Sequence, residues 1–264
     1  MSEYRTIRLE TDARGVATLT LARPDTHNAF DAEMIAELTS AATLLATDED
    51  ARVVVLRGEG RSFCAGGDLN WMRAQRDKDR AGKMDESRAL AAMLGALNRL
   101  PKPLIARVHG NAFGGGVGLL AVCDVAIAVE GVRFALTETR LGLIPATIGP
   151  FVVRRMGEGL ARQVFFTGRP FDTDFALRGG LIGMSCPPED LDEQVEKAVA
   201  DALTGAPGAI AAAKRLCLDL GAAEPETLAE HTAALLADRW ETDEAQAGIE
   251  AFFERRRPPW SVRD

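Results

Sequence analysis

Residues 16–22, Val-Ala-Thr-Leu-Thr-Leu-Ala, alternate between polar and apolar positions and are rich in strand formers. That is the period of a half-buried strand, and Arg23-Pro24-Asp25 ends it. Asp31 is suited to an N-cap, and after it Met34, Leu38, Ala41 and Leu45 recur at helical spacing. This predicts a helix through about residue 45. The wholly apolar run 53–56 reads as a strand buried on both faces, and 104–108 and 125–129 read the same way. Residues 133–135 predict a short strand. Charges crowd 71–88 without a clean period, which predicts a mobile loop passing into a helix that Pro101 and Pro103 stop.

After residue 147 the strand signal fades. Helical patterns follow over about 148–167, 172–180, 189–204, 207–220 and 224–255. Strands that alternate with helices, followed by helices alone, predict an α/β core with a helical appendage. The break falls at Gly205-Ala206-Pro207-Gly208, dividing the chain into 1–204 and 205–264. In the tail, Leu228, Leu235, Leu236, Trp240 and Phe252 need a surface to bury against.

Composition narrows the classes. In 264 residues, 47% are apolar and 27% charged, the balance of a globular protein rather than a disordered one. A net charge of −8 argues against nucleic-acid and anionic-membrane partners. Four scattered cysteines form no CxxC pair, so neither a zinc site nor a disulfide frame is expected. The N-terminal residues carry no apolar signal core and no stretch is long enough to span a bilayer. The expected compartment is the cytoplasm.

Several chemistries are set aside. The single tyrosine, Tyr4, lacks the nearby lysine of a short-chain dehydrogenase. Gly183-Met184-Ser185-Cys186-Pro187 misses the GxSxG elbow at its last position. No GxxxxGK[ST] phosphate loop occurs, and His27, His109 and His231 are dispersed.

Two glycine-rich turns remain, each after an apolar strand: Ala65-Gly66-Gly67-Asp68 and Gly114-Gly115-Gly116. They are either tight turns for close packing or places where backbone N–H groups reach a ligand. The second opens a short helix, whose positive end adds to any N–H aimed outward. Two such donors meeting at one point form an oxyanion hole.

These residues resemble the enoyl-CoA hydratase/isomerase (crotonase) superfamily. The resemblance spans nearly the whole chain. It runs from Arg23-Pro24 and Asn28-Ala29-Phe30, through the segment 63–69 and Lys102-Pro103, to the glycine triplet and Cys123-Asp124. Phe134, Glu138, the segment 141–145 and 248–256 continue it. It implies a crotonase-like ββα spiral core (the ClpP/crotonase class) with a C-terminal helical region used for trimerisation, as a homotrimer or homohexamer. It also implies an acyl-CoA thioester as substrate, with no cofactor besides the CoA that the substrate carries and no metal.

By the same resemblance, the Gly67 and Gly115 amides are the oxyanion donors and Glu138 is the catalytic carboxylate. Ala29, Ala65, Asp68 and Leu69 line the CoA path. Arg255, Arg256 and Arg257 meet the nucleotide end of CoA, unless they are only a solvated helix terminus. The family's second glutamate falls on Gly118, which cannot carry a proton and would leave room for a bulky acyl group. One carboxylate can serve hydration, taking a proton from water and returning it to carbon, or double-bond isomerisation. If Glu138 is only a capping or ion-paired acid, the protein merely binds acyl-CoA. Residues 67–72, 113–118 and 150–153 are similar to bacterial methylglutaconyl-CoA and isohexenylglutaconyl-CoA hydratases of leucine and acyclic-terpene breakdown. Those substrates are branched and bear an extra carboxylate, which Arg140 could meet unless it is a surface residue.

Overall fold

The alternating segment at 16–22 becomes the second strand of a six-stranded sheet. The computed structural model describes residues 4–205, 207–220 and 229–256. A hairpin opens the chain, β1 (Ile7–Thr11) and β2 (Val16–Leu21), followed by α1 (Ala32–Thr47) and β3 (Val53–Gly58). Then come α2 (Leu69–Asp77), α3 (Arg80–Asn98), β4 (Leu104–Val108), β5 (Ala112–Phe113) and α4 (Gly115–Val122). Strands β6 (Val125–Val129) and β7 (Phe134–Ala135) precede α5 (Gly149–Thr167), α6 (Thr173–Arg178), β8 (Met184–Cys186) and α7 (Leu191–Leu203). Helices α8 (Pro207–Leu220), α9 (Ala229–Trp240) and α10 (Asp243–Phe253) follow.

The sheet order is β1-β2-β3-β4-β6-β8, with β1 antiparallel to β2 and every other pair parallel. Parallel strands need helical crossovers, which cover both faces. Val53, Val54, Leu56, Leu104, Ile105 and Ile127 are accordingly buried. Asp31 caps α1 as expected, accepting from the Met34 amide at 2.8 Å.

A second, two-stranded sheet pairs β5 with β7, Ala112 opposite Phe134 and Phe113 opposite Ala135. It has a positional role: β5 leads directly into the glycine triplet and β7 leads to Glu138.

Three expectations are corrected. The segment 71–88 is not a loop but two helices. Asp68 caps α2 through the Asn70 and Trp71 amides, and Asp79 caps α3 through the Gly82 amide. The break between them at Lys78-Asp79 disrupts any single helical period across the segment. Strand β8 escaped notice because three residues between Gly183 and Pro187 are too few to show a period. The tail is not one helix over 224–255. Thr242 starts α10 by accepting from the Ala245 amide, which ends continuity with α9.

The tail is anchored where the site will prove to be. Helix α9 lies along α3, with ion pairs Arg80–Asp238 at 2.7 Å, Lys83–Glu241 at 2.6 Å and Arg88–Glu230 at 2.6 Å. Trp240, Ala245 and Ile249 form a small separate core with Leu143. Trp240 and Leu236 thus find the surface the pattern demanded, while Phe252 stays half exposed. Leu228 and the side chain of Leu235 lie outside the described residues.

Candidate active site

Two turns are locked side by side by short backbone ladders. Phe30 donates to the Gly66 carbonyl at 2.6 Å, and the Asp68 amide donates to the Phe30 carbonyl at 2.8 Å. Alternation along an extended segment then turns the Gly67 N–H to the opposite side. Phe113 donates to the Cys64 carbonyl at 2.9 Å, which ties the second turn to the first. Gly114 takes φ +48°, a conformation open to glycine, so that its own amide reaches the Ala135 carbonyl at 2.8 Å while the chain bends into α4. Gly115 is the first residue of α4, where an amide has no intrahelical acceptor. Among the described residues, neither the Gly67 nor the Gly115 N–H is given to an acceptor.

The two turns touch. Gly66, at φ +90°, stands so close to Phe113 and Gly115 that a Cβ on it would meet the Phe113 carbonyl oxygen at 2.8 Å and the Gly115 nitrogen at 3.4 Å. Gly67 and Gly115 border one cavity of about 120 Å³, and Glu138 borders it too.

Glu138 begins a 3₁₀ turn, Glu138–Leu141, closed by Gly142 in the left-handed region. The carboxyl lies close to the glycine triplet: Oε1 would be 3.4 Å from a Cβ on Gly114. Oε2 is buried with no hydrogen-bond partner. Burial raises its pKa to about 7, partly offset by its own backbone amide. The group is therefore neither a capping nor an ion-paired acid. It is poised between its two protonation states near neutrality, the condition for moving a proton both ways.

The remaining walls come from segments whose charge hid them in the sequence. Trp71, Met72 and Gln75 face the cavity from α2, and Lys83, Glu86, Ser87 and Leu90 from α3. The spacing 83, 86, 87, 90 is one helical face, a polar stripe that the sequence displays once α3 is known to start at Arg80. Thr147 and Ile148 close another side, and Leu236 and Trp240 of α9 roof it.

The other residues named from the sequence lie elsewhere. Asp68 is buried and holds Arg23 at 3.1 Å while capping α2, so its carboxylate is engaged in structure. Arg23 also pairs with Asp31 at 2.8 Å and donates to the Ala29 carbonyl, which makes Ala29 part of the same brace. Ala65 gives its amide to the His27 carbonyl at 3.0 Å, and Leu69 is exposed at the start of α2. Neither borders the cavity. Arg140 does not face the cavity either: its side chain packs against Gly168 at the end of α5. Arg256 is engaged by Glu250 at 2.8 Å and by Glu254, and Arg255, just past α10, is exposed at φ +53°. Arg257 lies outside the described residues.

Gly118 corrects a further expectation. It does not open room for an acyl group, because the space beside it is filled: a Cβ there would stand 2.6 Å from Ile148 Cγ2. Gly118→Ala is therefore expected to cost about 1–3 kcal/mol by overpacking. Thermal unfolding checks this, and an unchanged midpoint would mean that Ile148 yields freely.

Comparison with known proteins places this architecture. A family model described as enoyl-CoA hydratase/isomerase matches residues 11–263. The 2,3-dehydroadipyl-CoA hydratase of Escherichia coli is 33% identical over 257 residues, 94% of this chain and 96% of that protein. A crystal structure of an enoyl-CoA hydratase from Shewanella pealeana superposes with a TM-score of 0.80 at 36% identity, covering 98% of this chain and 97% of the other. One from Mycobacterium avium gives 0.86 at 33% identity, covering 97% and 99%. The fold is crotonase-like.

Proposed function

The chain belongs to the enoyl-CoA hydratase/isomerase family, and from that premise we propose that it adds water across the double bond of a 2-enoyl-CoA thioester. The observation that carries the reading is the meeting of two unoccupied amides and one unpartnered carboxyl on a single cavity. The Gly67 and Gly115 N–H groups hold the thioester oxygen. They favour the enolate, in which that oxygen is negative, over the ground-state carbonyl. Glu138 takes a proton from water as the oxygen bonds to C3. The electron pair of the double bond moves to C2 and the thioester oxygen. Glu138 then returns its proton to C2, so one carboxyl serves both steps.

For the acyl group we infer a branched, glutaconyl-type chain, on the resemblance of residues 67–72, 113–118 and 150–153. The resemblance to the superfamily as a whole supports a homotrimer or homohexamer with no cofactor beyond the CoA of the substrate, and we infer the cytoplasm as its compartment.

The test is turnover of a 2-enoyl-CoA in ¹⁸O-labelled water. Loss of the conjugated chromophore with one labelled oxygen in the product is the expected result. Movement of the double bond without label would make the protein an isomerase. The pH dependence follows from Glu138. The reaction starts from its carboxylate, so kcat/KM should rise with pH through about 7 and level off above it. Below that midpoint the slope is tenfold per unit. A profile flat between about pH 5.5 and 8.5 would assign the proton to another group.

A further inference from the structure

The cavity contains more hydrogen-bond donors than an oily acyl chain can use. Thr147 Oγ1 is buried without a partner on a residue only 4% exposed, and Gln75, 3% exposed, has its Nε2 buried with only the Glu86 carboxylate beside it. Lys83 is 4% exposed, and its ammonium meets one carboxylate, Glu241, which is itself half exposed at the rim. All three residues border the same cavity as Glu138. Glu86, which borders the same cavity, is already engaged: it pairs with Lys78, accepts from Trp71 Nε1 at 3.1 Å and meets Gln75, and these partners hold its pKa below the usual carboxylate range against the opposing effect of burial. A buried donor left without an acceptor is costly, so such a concentration implies a complement that arrives from outside.

The chemistry of that complement is fixed by the donors. An amide –NH₂ and an ammonium can only donate, and a threonine hydroxyl can do so. Their partner is an oxygen acceptor, and beside a buried cation whose counter-ion is half solvated it is best an anion. We propose that Gln75, Lys83 and Thr147 form a subsite for a carboxylate borne on the acyl chain, away from the thioester. This rests on the hydratase reading for the identity of the thioester end, and it replaces Arg140 as the group that meets a second carboxylate. Other walls of the same cavity, Phe30, Trp71, Met72, Leu90 and Ile148, are hydrocarbon or aromatic. A chain with a polar end and an apolar middle matches that lining. A chain that is hydrocarbon throughout leaves the Thr147 hydroxyl unpaired and the buried Lys83 cation with only its half-exposed partner Glu241, which is how a polar pocket rejects an apolar analogue.

Binding and turnover separate the two readings. Glutaryl-CoA and pentanoyl-CoA have acyl chains of equal length, are saturated, and differ in the terminal carboxylate. Calorimetry should show glutaryl-CoA binding about 30-fold or more tightly than pentanoyl-CoA. Lys83→Met keeps the length of the stem and should abolish most of that preference, as Gln75→Leu should in part. Glu241→Gln loosens the same link between α3 and α9 but leaves the cation, and should retain the preference. Equal affinities in the unaltered protein would overturn the proposal. So would a loss in Glu241→Gln that matches Lys83→Met, since Lys83 would then act only as a clamp for the tail. Hydration of the corresponding unsaturated thioesters is scored separately: absence of turnover on both, with the binding preference intact, defeats the hydratase reading and leaves the subsite standing.

Discussion

Glu138→Gln is expected to lower kcat for hydration of a 2-enoyl-CoA about a thousandfold, with KM changed little. The size is that of a general acid–base group removed from a site whose other elements remain, typically 10²–10⁴. The amide matches the carboxyl in shape but cannot carry a proton from water to carbon. The variant should fold normally, because Oε2 forms no hydrogen bond that the change could break. A neutral side chain also removes the cost of ionising a buried group, so the thermal midpoint should hold or rise slightly. Steady-state kinetics with a saturating 2-enoyl-CoA checks this. A kcat within tenfold of the unaltered protein would mean that Glu138 is a bystander.

Gly115→Ala should lower kcat about a hundredfold and also destabilise the fold. A methyl group there would stand 2.5 Å from Phe30 Cε2 and 2.7 Å from Cδ2. Phe30 is fully buried and is the strand partner that turns the Gly67 amide outward. Relief of the clash must therefore displace one amide or the other. Loss of one well-placed donor to an oxyanion costs about 10²–10³ in kcat. Gly159→Ala is the control, since nothing lies within 4 Å of a Cβ at that position and α5 gains a better helix former. If both variants retain full activity, the helix N-terminus does not hold the thioester oxygen.

What the sequence revealed was whatever depends on neighbours along the chain. Apolar runs at 53–56, 104–108 and 125–129 became buried parallel strands, and Asp31 became a cap. The glycine turns could be read because only a special backbone needs glycine at Gly66 and Gly114. Glu138 was found by resemblance, and its usefulness came from burial that no local pattern encodes.

What stayed hidden depends on partners far away in the chain. The emptiness beside Gly118 was inferred from a missing side chain, but Ile148, thirty positions later, fills it. Asp68 was placed on the CoA path by resemblance, as part of the stretch 65–69, whereas its carboxylate is engaged by Arg23 and the α2 amides. Gln75 and Lys83 looked like solvated charge and polarity in a loop. Two caps, Asp68 and Asp79, turn that segment into helices, and α9 then covers them. Burial of polar residues is a property of the assembled tertiary structure, so a reading by periodicity assigns them to the surface.

A thioester oxygen held by two backbone amides is polarised by them, and vibrational spectroscopy reads that contact itself. A 2-enoyl-CoA labelled with ¹³C at the thioester carbonyl, bound to the slow Glu138→Gln protein, should give an isotope-edited carbonyl band at markedly lower frequency than in water, with Gly115→Ala in the same background moving it back. A band at the solution frequency in the Glu138→Gln complex would contradict the assignment of Gly67 and Gly115.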